Sequence, residues 1–176
     1  MAGDGANFGL VGRIEAHAFG EPGQRTFRIW AAIPGRAATL WLEKEQLIAL
    51  ASAIDELLES IPAGAGAQLS DQHDLPDPGE ASDLEFHVGS LALGYDQQSD
   101  MLRIYAGLPD SFQTDPPAFS CMLTRGQIEA VRAQLDSILR SGRPICPLCH
   151  EPMDPAGHAC IRTNGHSKKD IPPRPE

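Results

Sequence analysis

The chain has 176 residues, 41% of them hydrophobic and 22% charged, with 24 acids against 14 bases and a net charge of −10. That length suits one ordinary domain, or a domain with a small appendage, and it can bury a core without disulfides. No apolar run approaches the roughly 18 residues that cross a bilayer, and so acidic a chain is not built to fill a DNA groove, where phosphate neutralisation supplies most of the affinity.

The opening MAGDGANFGL has no basic segment followed by an apolar one, so it does not read as a signal peptide. Residues 1–10 read as a flexible N-terminus and the protein as cytoplasmic, where thiols stay reduced. Gly12–Phe19 is the first expected strand. In Arg25–Ile33, Phe27, Ile29, Ala31 and Ile33 alternate with Arg28 and Trp30, the period of a half-buried strand. The turn formers of Gly20–Gln24 make a hairpin loop between them. A second turn, residues 34–36, leads to a short strand at Ala38–Leu42. The period then changes. Leu47, Leu50, Ala51, Ile54, Leu57, Leu58 and Ile61 fall at helical spacing, which predicts a helix from Lys44 to Ser60, ended by Pro62.

Residues 62–83 hold five acids, no Lys or Arg and no aromatic side chain. That composition reads as an acidic flexible linker. Beyond it the order of elements returns: a strand at Glu85–Asp96 with a bulge at Gly89, a strand at Met101–Leu108, and a third at Ala118–Leu123. Thr124 and Gln127 form a T-x-x-Q capping box that opens a second helix. Its apolar stripe is Ile128, Val131, Leu135, Ile138 and Leu139, and Gly142 and Pro144 terminate it.

The halves, 11–61 and 84–142, resemble one another. Shifting Leu42–Ser60 by 81 positions lays Gln46 on Gln127, Asp55 on Asp136 and the first apolar stripe on the second. A shift of 75 lays RIWA at 28–31 on RIYA at 103–106. Two amphipathic helices share some register by chance, but the coinciding strand-to-helix junctions favour a duplicated β-β-β-α unit. The expected class is α+β: an antiparallel sheet assembly with two amphipathic helices and a small C-terminal zinc knuckle.

The chemistry gathers in residues 143–166. Cys146 and Cys149 form a C-x-x-C knuckle, and His158 and Cys160 an H-x-C pair eight residues later. Thiolate and imidazole satisfy tetrahedral zinc, and Pro152, Pro155 and Gly157 suit a tight return. Cysteines clustered in a reducing compartment point to metal before disulfide. Cys146, Cys149, His158 and Cys160 are therefore the expected ligands of a structural zinc ion, with His166 the alternative to His158. Four donors leave no open position for a catalytic water. The H-E-P at 150–152 is not the H-x-E of zinc deaminases, whose glutamate precedes the knuckle.

Elsewhere the sequence holds no phosphate loop, dinucleotide-binding glycine motif or nucleophile elbow. Cys121, in the apolar FSCML, reads as a buried small hydrophobe. His17 and His87 lie in the first strands of the two halves. With Glu21, Arg25 and Lys44 they make up the candidate ligand or partner surface. Residues 1–142 carry 20 acids and 9 bases, and residues 143–176 carry 4 and 5. Nucleic-acid binding therefore has only the tail of Arg162, Lys168, Lys169 and Arg174 to use, and residues 167–176 read as disordered.

GEPGQRTF (20–27), LEKEQ (42–46), FHVGSLALGYD (86–96), CPLC (146–149), GHAC (157–160) and RTNGH (162–166) resemble a family of bacterial conserved hypothetical proteins, domain-of-unknown-function family 3090. The resemblance spans most of residues 11–166 and omits the linker and the last ten residues. Members commonly read G-H-x-C-x-R-x-N-G followed by Tyr or His, which favours His158 over His166 as a ligand. Ile161 stands where the family often has Pro. Members are often encoded near a lipid-kinase-like and a histidine-phosphatase-like protein, which implies a shared pathway and no specific activity. The reading that follows is a non-catalytic, zinc-stabilised interaction protein with a protein partner, without membrane or nucleic acid. An enzyme with a small-molecule site between the halves is the alternative, and nucleic-acid binding through the tail the third.

Overall fold

A computed structural model describes residues 5–62, 74–111, 116–142, 146–149, 153 and 160. The chain divides into two compact units, Met1–Arg140 and Ser141–Glu176. The first holds β1 (Ala6–Leu10), β2 (Arg13–Phe19), β3 (Thr26–Ile33), β4 (Arg36–Leu42), α1 (Lys44–Ser60), β5 (Leu84–His87), β6 (Ser90–Asp96), β7 (Met101–Gly107), β8 (Phe119–Leu123) and α2 (Arg125–Arg140). The class is α+β.

The local rules account for most of these elements. Phe27, Ile29 and Ala31 turn one face of β3 into the core. The two-residue turn Pro34-Gly35 joins β3 to β4, with Gly35 at φ +70, a conformation that glycine takes without steric cost. α1 buries Leu47, Leu50, Ala51 and Ile54, and α2 buries Ile128, Val131 and Leu135. A fully buried aliphatic side chain of this size contributes about 1.5–3 kcal/mol, so the two stripes carry much of the stability.

The strands form two mixed sheets, in orders β2-β3-β4-β5 and β1-β8-β7-β6. The antiparallel meanders expected of a β-β-β-α unit are present as β2-β3-β4 and β6-β7-β8. Each gains a parallel strand from the other half. β1 pairs with β8, and β5 pairs with β4. The stretch 1–10, expected to be flexible, thus holds a strand. The single strand expected at Glu85–Asp96 is two, which enter different sheets. No local pattern distinguishes these cases, because the pairing partner lies more than 40 residues away.

The chain changes sheet at the same dipeptide in both halves. Gly12 N–H donates to Ala32 O and Gly89 N–H to Gly107 O, at 2.9 and 2.8 Å. Just before them, Val11 N–H donates to Met122 O and Val88 N–H to Trp41 O. Gly89 is required there, since a Cβ would lie 2.3 Å from Pro109 Cα. The helix starts then hold the crossovers. Gln127 Oε1 accepts Thr124 N–H at 2.9 Å, closing the capping box, while its Nε2 donates to Val11 O at 2.8 Å. Gln46 does the same with Glu43 N–H and Val88 O, both at 2.8 Å.

Part of the expected linker is structured. Leu75 packs on Trp30, Ala32 and Ala37, on the sheet face away from the main core. Asp83 and Ala37 exchange two hydrogen bonds, Asp83 N–H to Ala37 O at 2.9 Å and Ala37 N–H to Asp83 Oδ2 at 2.8 Å. Ser82 Oγ bonds Thr39 Oγ1 at 2.7 Å. A segment with few apolar groups is held here by polar bonds to a sheet, which composition alone does not reveal. Residues 63–73 lie outside the described residues.

Two tests follow. Gln127→Ala should lose both the cap and the crossover tie, and cost about 1–3 kcal/mol in urea unfolding. Gln127→Glu keeps the acceptor but not the donor, so it should recover only part of that loss; full recovery would mean the tie to Val11 contributes nothing. The second test concerns Arg132, which holds Asp55 through Nε and NH2, each at 2.8 Å. This hydrogen bonding keeps the Asp55 carboxyl below its ordinary range. A group with a depressed folded pKa stabilises above its unfolded value, about 3.9, and loses that contribution as pH falls through the folded one. Asp55→Asn should therefore destabilise at neutral pH and matter progressively less in acid, as read from thermal unfolding against pH.

Candidate metal centre

In the unit Ser141–Glu176, the Sγ atoms of Cys146, Cys149 and Cys160 all lie within 4.8 Å of one another. Cys146 is buried and the other two are half-buried. Cys146 and Cys149 flank a turn, the compact geometry that a two-residue gap permits. Cys146 Sγ stands 3.7 Å from Cys160 Sγ. Sulfurs about 2.3 Å from a tetrahedral zinc ion stand about 3.8 Å apart along a tetrahedron edge. A disulfide would need about 2.05 Å, and none of the four cysteines is disulfide-bonded. Three thiols are thus grouped where one metal ion can be held. Thiolate donors suit zinc and other thiophilic metals. His158 and its alternative His166 lie outside the described residues.

Cys121 is different. It lies buried in β8, and burial pushes its thiol up to about 12. It stays protonated at neutral pH and acts as a small hydrophobic side chain in the core.

The remaining candidates do not converge on one point. Glu21 is an exposed residue of the β2–β3 loop, its carbonyl accepting Gln24 N–H. Arg25 is half-buried just before β3, and Lys44 is the exposed first residue of α1. His17 and His87 do share a surface. Strand register puts His17, Arg28, Trp41 and His87 in one row across β2, β3, β4 and β5. The two imidazoles stand at opposite ends, three strand spacings or about 14 Å apart, so they cannot share a ligand atom.

That row is a connected network. Arg28 Nε donates to His17 Nδ1 at 3.3 Å, and His17 Nε2 therefore carries the proton it shares with Glu15 Oε2 at 2.9 Å. Arg28 NH2 donates to Pro78 O at 2.6 Å, and its guanidinium lies 4.9 Å from the centre of the Phe19 ring. Burial draws the Arg28 pKa down, against the opposing charges of Glu85 and Glu15. Trp41 Nε1 donates to Glu85 Oε1 at 2.7 Å, and the Trp41 ring stacks with His87 at 6.5 Å. The corresponding row of the other sheet reads Gly94, Arg103, Met122 and Leu10. Sequence reading found the two histidines but missed Phe19, Arg28 and Trp41. Alternation put Arg28 on a strand face, and Phe19 and Trp41 fell within expected strands; the parallel β4–β5 pairing that assembles the row was not readable.

Residues 6–160 match a family model described as protein of unknown function (DUF3090), and the chain belongs to that family. No curated protein and no solved structure matches the chain. No helix among the described residues is long and apolar enough to cross a membrane.

Thiol titration separates the two kinds of cysteine. After chelation and reduction, Cys146, Cys149 and Cys160 should react with a disulfide reagent in the folded protein. Cys121 should react only on unfolding. Slow release of all four thiols together would show that the cluster is not accessible as a unit.

Proposed function

We propose that the protein is a non-catalytic interaction protein, an adapter whose C-terminal segment is held by one structural zinc ion. The single observation that carries the reading is the group of three thiols within 4.8 Å of one another, with Cys146 and Cys160 at tetrahedron-edge spacing. His158 is the fourth ligand, two residues before Cys160, and a filled tetrahedron leaves no position for a reacting water. A short segment with little apolar surface gains from metal what it cannot gain from a core. The reading assigns the protein to the cytoplasm, where the free thiols stay reduced.

The His17–Arg28–Trp41–His87 row supports the interaction half of the reading. Aromatic and arginine side chains are the types enriched at protein interfaces and at their energetic centres. Phe19, beside the row, leaves 43% of its surface exposed. We infer too that the two halves arose by internal duplication. The recurring bonds of Gln46 and Gln127 support this, since chance apolar register would not reproduce them.

Metal analysis tests the first half. Protein prepared without chelator should carry one zinc per chain, and Cys149→Ala should release it and leave residues 143–166 sensitive to protease. The β-sheets should remain folded. His158→Ala should lose the metal where His166→Ala keeps it; the reverse result moves the fourth ligand to His166. Metal content near zero overturns the centre. For the second half, a protein should co-purify stoichiometrically from the native host and leave with the zinc in Cys149→Ala. Recovery of the protein alone overturns the adapter reading.

A further inference from the structure

The two halves differ at one place where the shared fold would make them alike. β2 and β6 are the corresponding edge strands of their sheets, paired with Ile29 and Ile104 through Ala16 and Leu93. On the first edge, Gln134 of α2 reaches Ala16 and its Oε1 accepts the Ala16 N–H at 2.7 Å. That bond shows which way the N–H points: outward, away from the sheet. The position of α1 that corresponds to Gln134, 81 residues earlier, is Ala53. The side chain that closes one edge is missing from the other. Among the described residues nothing caps Leu93.

A cavity lies there instead. Its volume is about 230 Å³, and its walls are Gln46, Ala49, Leu50 and Ala53 of α1, Gly89, and Leu91, Ala92 and Leu93 of β6. A dry cavity of roughly 150 Å³ already holds a benzene ring, so one large apolar side chain fits. The edge residues Leu91 and Leu93 are half-buried, whereas their counterparts Ile14 and Ala16 are buried. The site is therefore an apolar notch bounded on one side by a seven-residue strand edge.

We propose that this groove takes an extended segment of a partner polypeptide, which adds to β6 as a further strand and sets one apolar side chain between Ala49, Ala53 and Leu93. The chemistry selects that occupant. The one polar side chain on the walls, Gln46, already spends its amide on Glu43 N–H and Val88 O, so the polar groups on offer are main-chain groups, repeating every second residue along the edge. An extended chain presents complementary carbonyls at the same repeat, with side chains in register between them. A phosphate or sugar would find no charged side chain among the groups lining the notch. Gln134 supplies the precedent within the molecule: one carbonyl acceptor on the edge N–H. The proposal deepens the adapter reading by naming the partner's conformation, and it involves only residues of Met1–Arg140.

The test uses the full-length protein and a displayed library of random dodecapeptides. Selected peptides should carry an apolar anchor. On binding they should slow exchange of the Leu93 amide at least tenfold, with little change at Ala16. Ala53→Gln, which supplies the missing cap, should weaken those peptides at least tenfold while leaving the thermal midpoint unchanged or raised. Ala53→Phe, which plugs the cavity without an acceptor, should weaken them as well, so neither variant alone decides the outcome. The proposal is overturned if no peptide is enriched, if both Ala53 variants bind the peptides as tightly as the unaltered protein, or if the Leu93 amide of the free protein is already as protected as that of Ala16. Self-association lost in Ala53→Gln also overturns it, because a second copy of this chain would then be the occupant. A stoichiometric partner that still co-purifies with Ala53→Gln would leave the adapter reading standing while this groove fails.

Discussion

Each sheet of this protein is completed by a strand that belongs to the other half of the chain. β1 closes the sheet of β6, β7 and β8; β5 closes the sheet of β2, β3 and β4. A half folded alone would leave β4 or β8 as a bare edge, with a row of unpaired main-chain groups. The exchange removes both liabilities at once and makes the halves depend on each other. Two glutamines secure it. Gln46 and Gln127 each use one amide in two directions, accepting from the residue that opens a helix and donating to the valine that ends an exchanged strand. Helix start and sheet crossover are thereby fixed together. The core follows, because the crossover sets which strand faces Leu47, Leu50 and Ile54 and which faces Ile128, Val131 and Leu135.

What was legible in the sequence was what local periodicity encodes. α1 ends where Pro62 requires, and α2 opens at the Thr124 box. β3 shows its alternation. What was not legible was the pairing of β1 with β8 and β5 with β4. A six-residue stretch such as Ala6–Val11 carries too few positions for a period, and Gly9, at φ +60, interrupts it further. The Val-Gly dipeptides at 11–12 and 88–89 look like ordinary bulges until the partner strands are known. Residues 74–83 misled for a different reason. Composition measures what a segment can bury, and this one is held by Asp83, Ser82 and the carbonyl of Pro78 instead.

The metal centre was legible to the degree that it is local. Cys146 and Cys149 face one point because two residues separate them, and a chain too poor in apolar residues to build its own core needs some other constraint. The Cys160 thiol joins them at the separation a tetrahedral ion sets. Grouping rather than burial distinguishes these thiols from Cys121, since Cys146 is buried too. A thiolate must be stabilised to bind metal, and Cys121, sealed in a strand of the core, is driven the other way. The four cysteines therefore fall into two settings, and neighbourhood rather than residue type decides which of them can hold a metal.

The comparison of halves also separates what the fold requires from what it does not. Features present in both, the glutamine ties, the Val-Gly crossovers and the apolar stripes, are the architecture. Features present in one are free to serve something else. Arg28 and Arg103 occupy corresponding positions, yet Arg103 takes an ordinary carboxylate, Asp96 at 2.9 Å, while Arg28 takes a ring, an imidazole and a carbonyl. The position of Asp96 in β6 is that of Phe19 in β2. Replacing a carboxylate by an aromatic ring gives up a strong charge-assisted bond for a weaker cation–π contact. Among the described residues the Arg28 guanidinium then has no ion pair, and feels Glu85 and Glu15 only through their charge. Stability alone does not favour that exchange, since the other sheet shows the simpler solution at work. The asymmetry marks the row, like the notch that Ala53 leaves beside β6, as a place the shared architecture does not dictate, which is what the proposed contacts require.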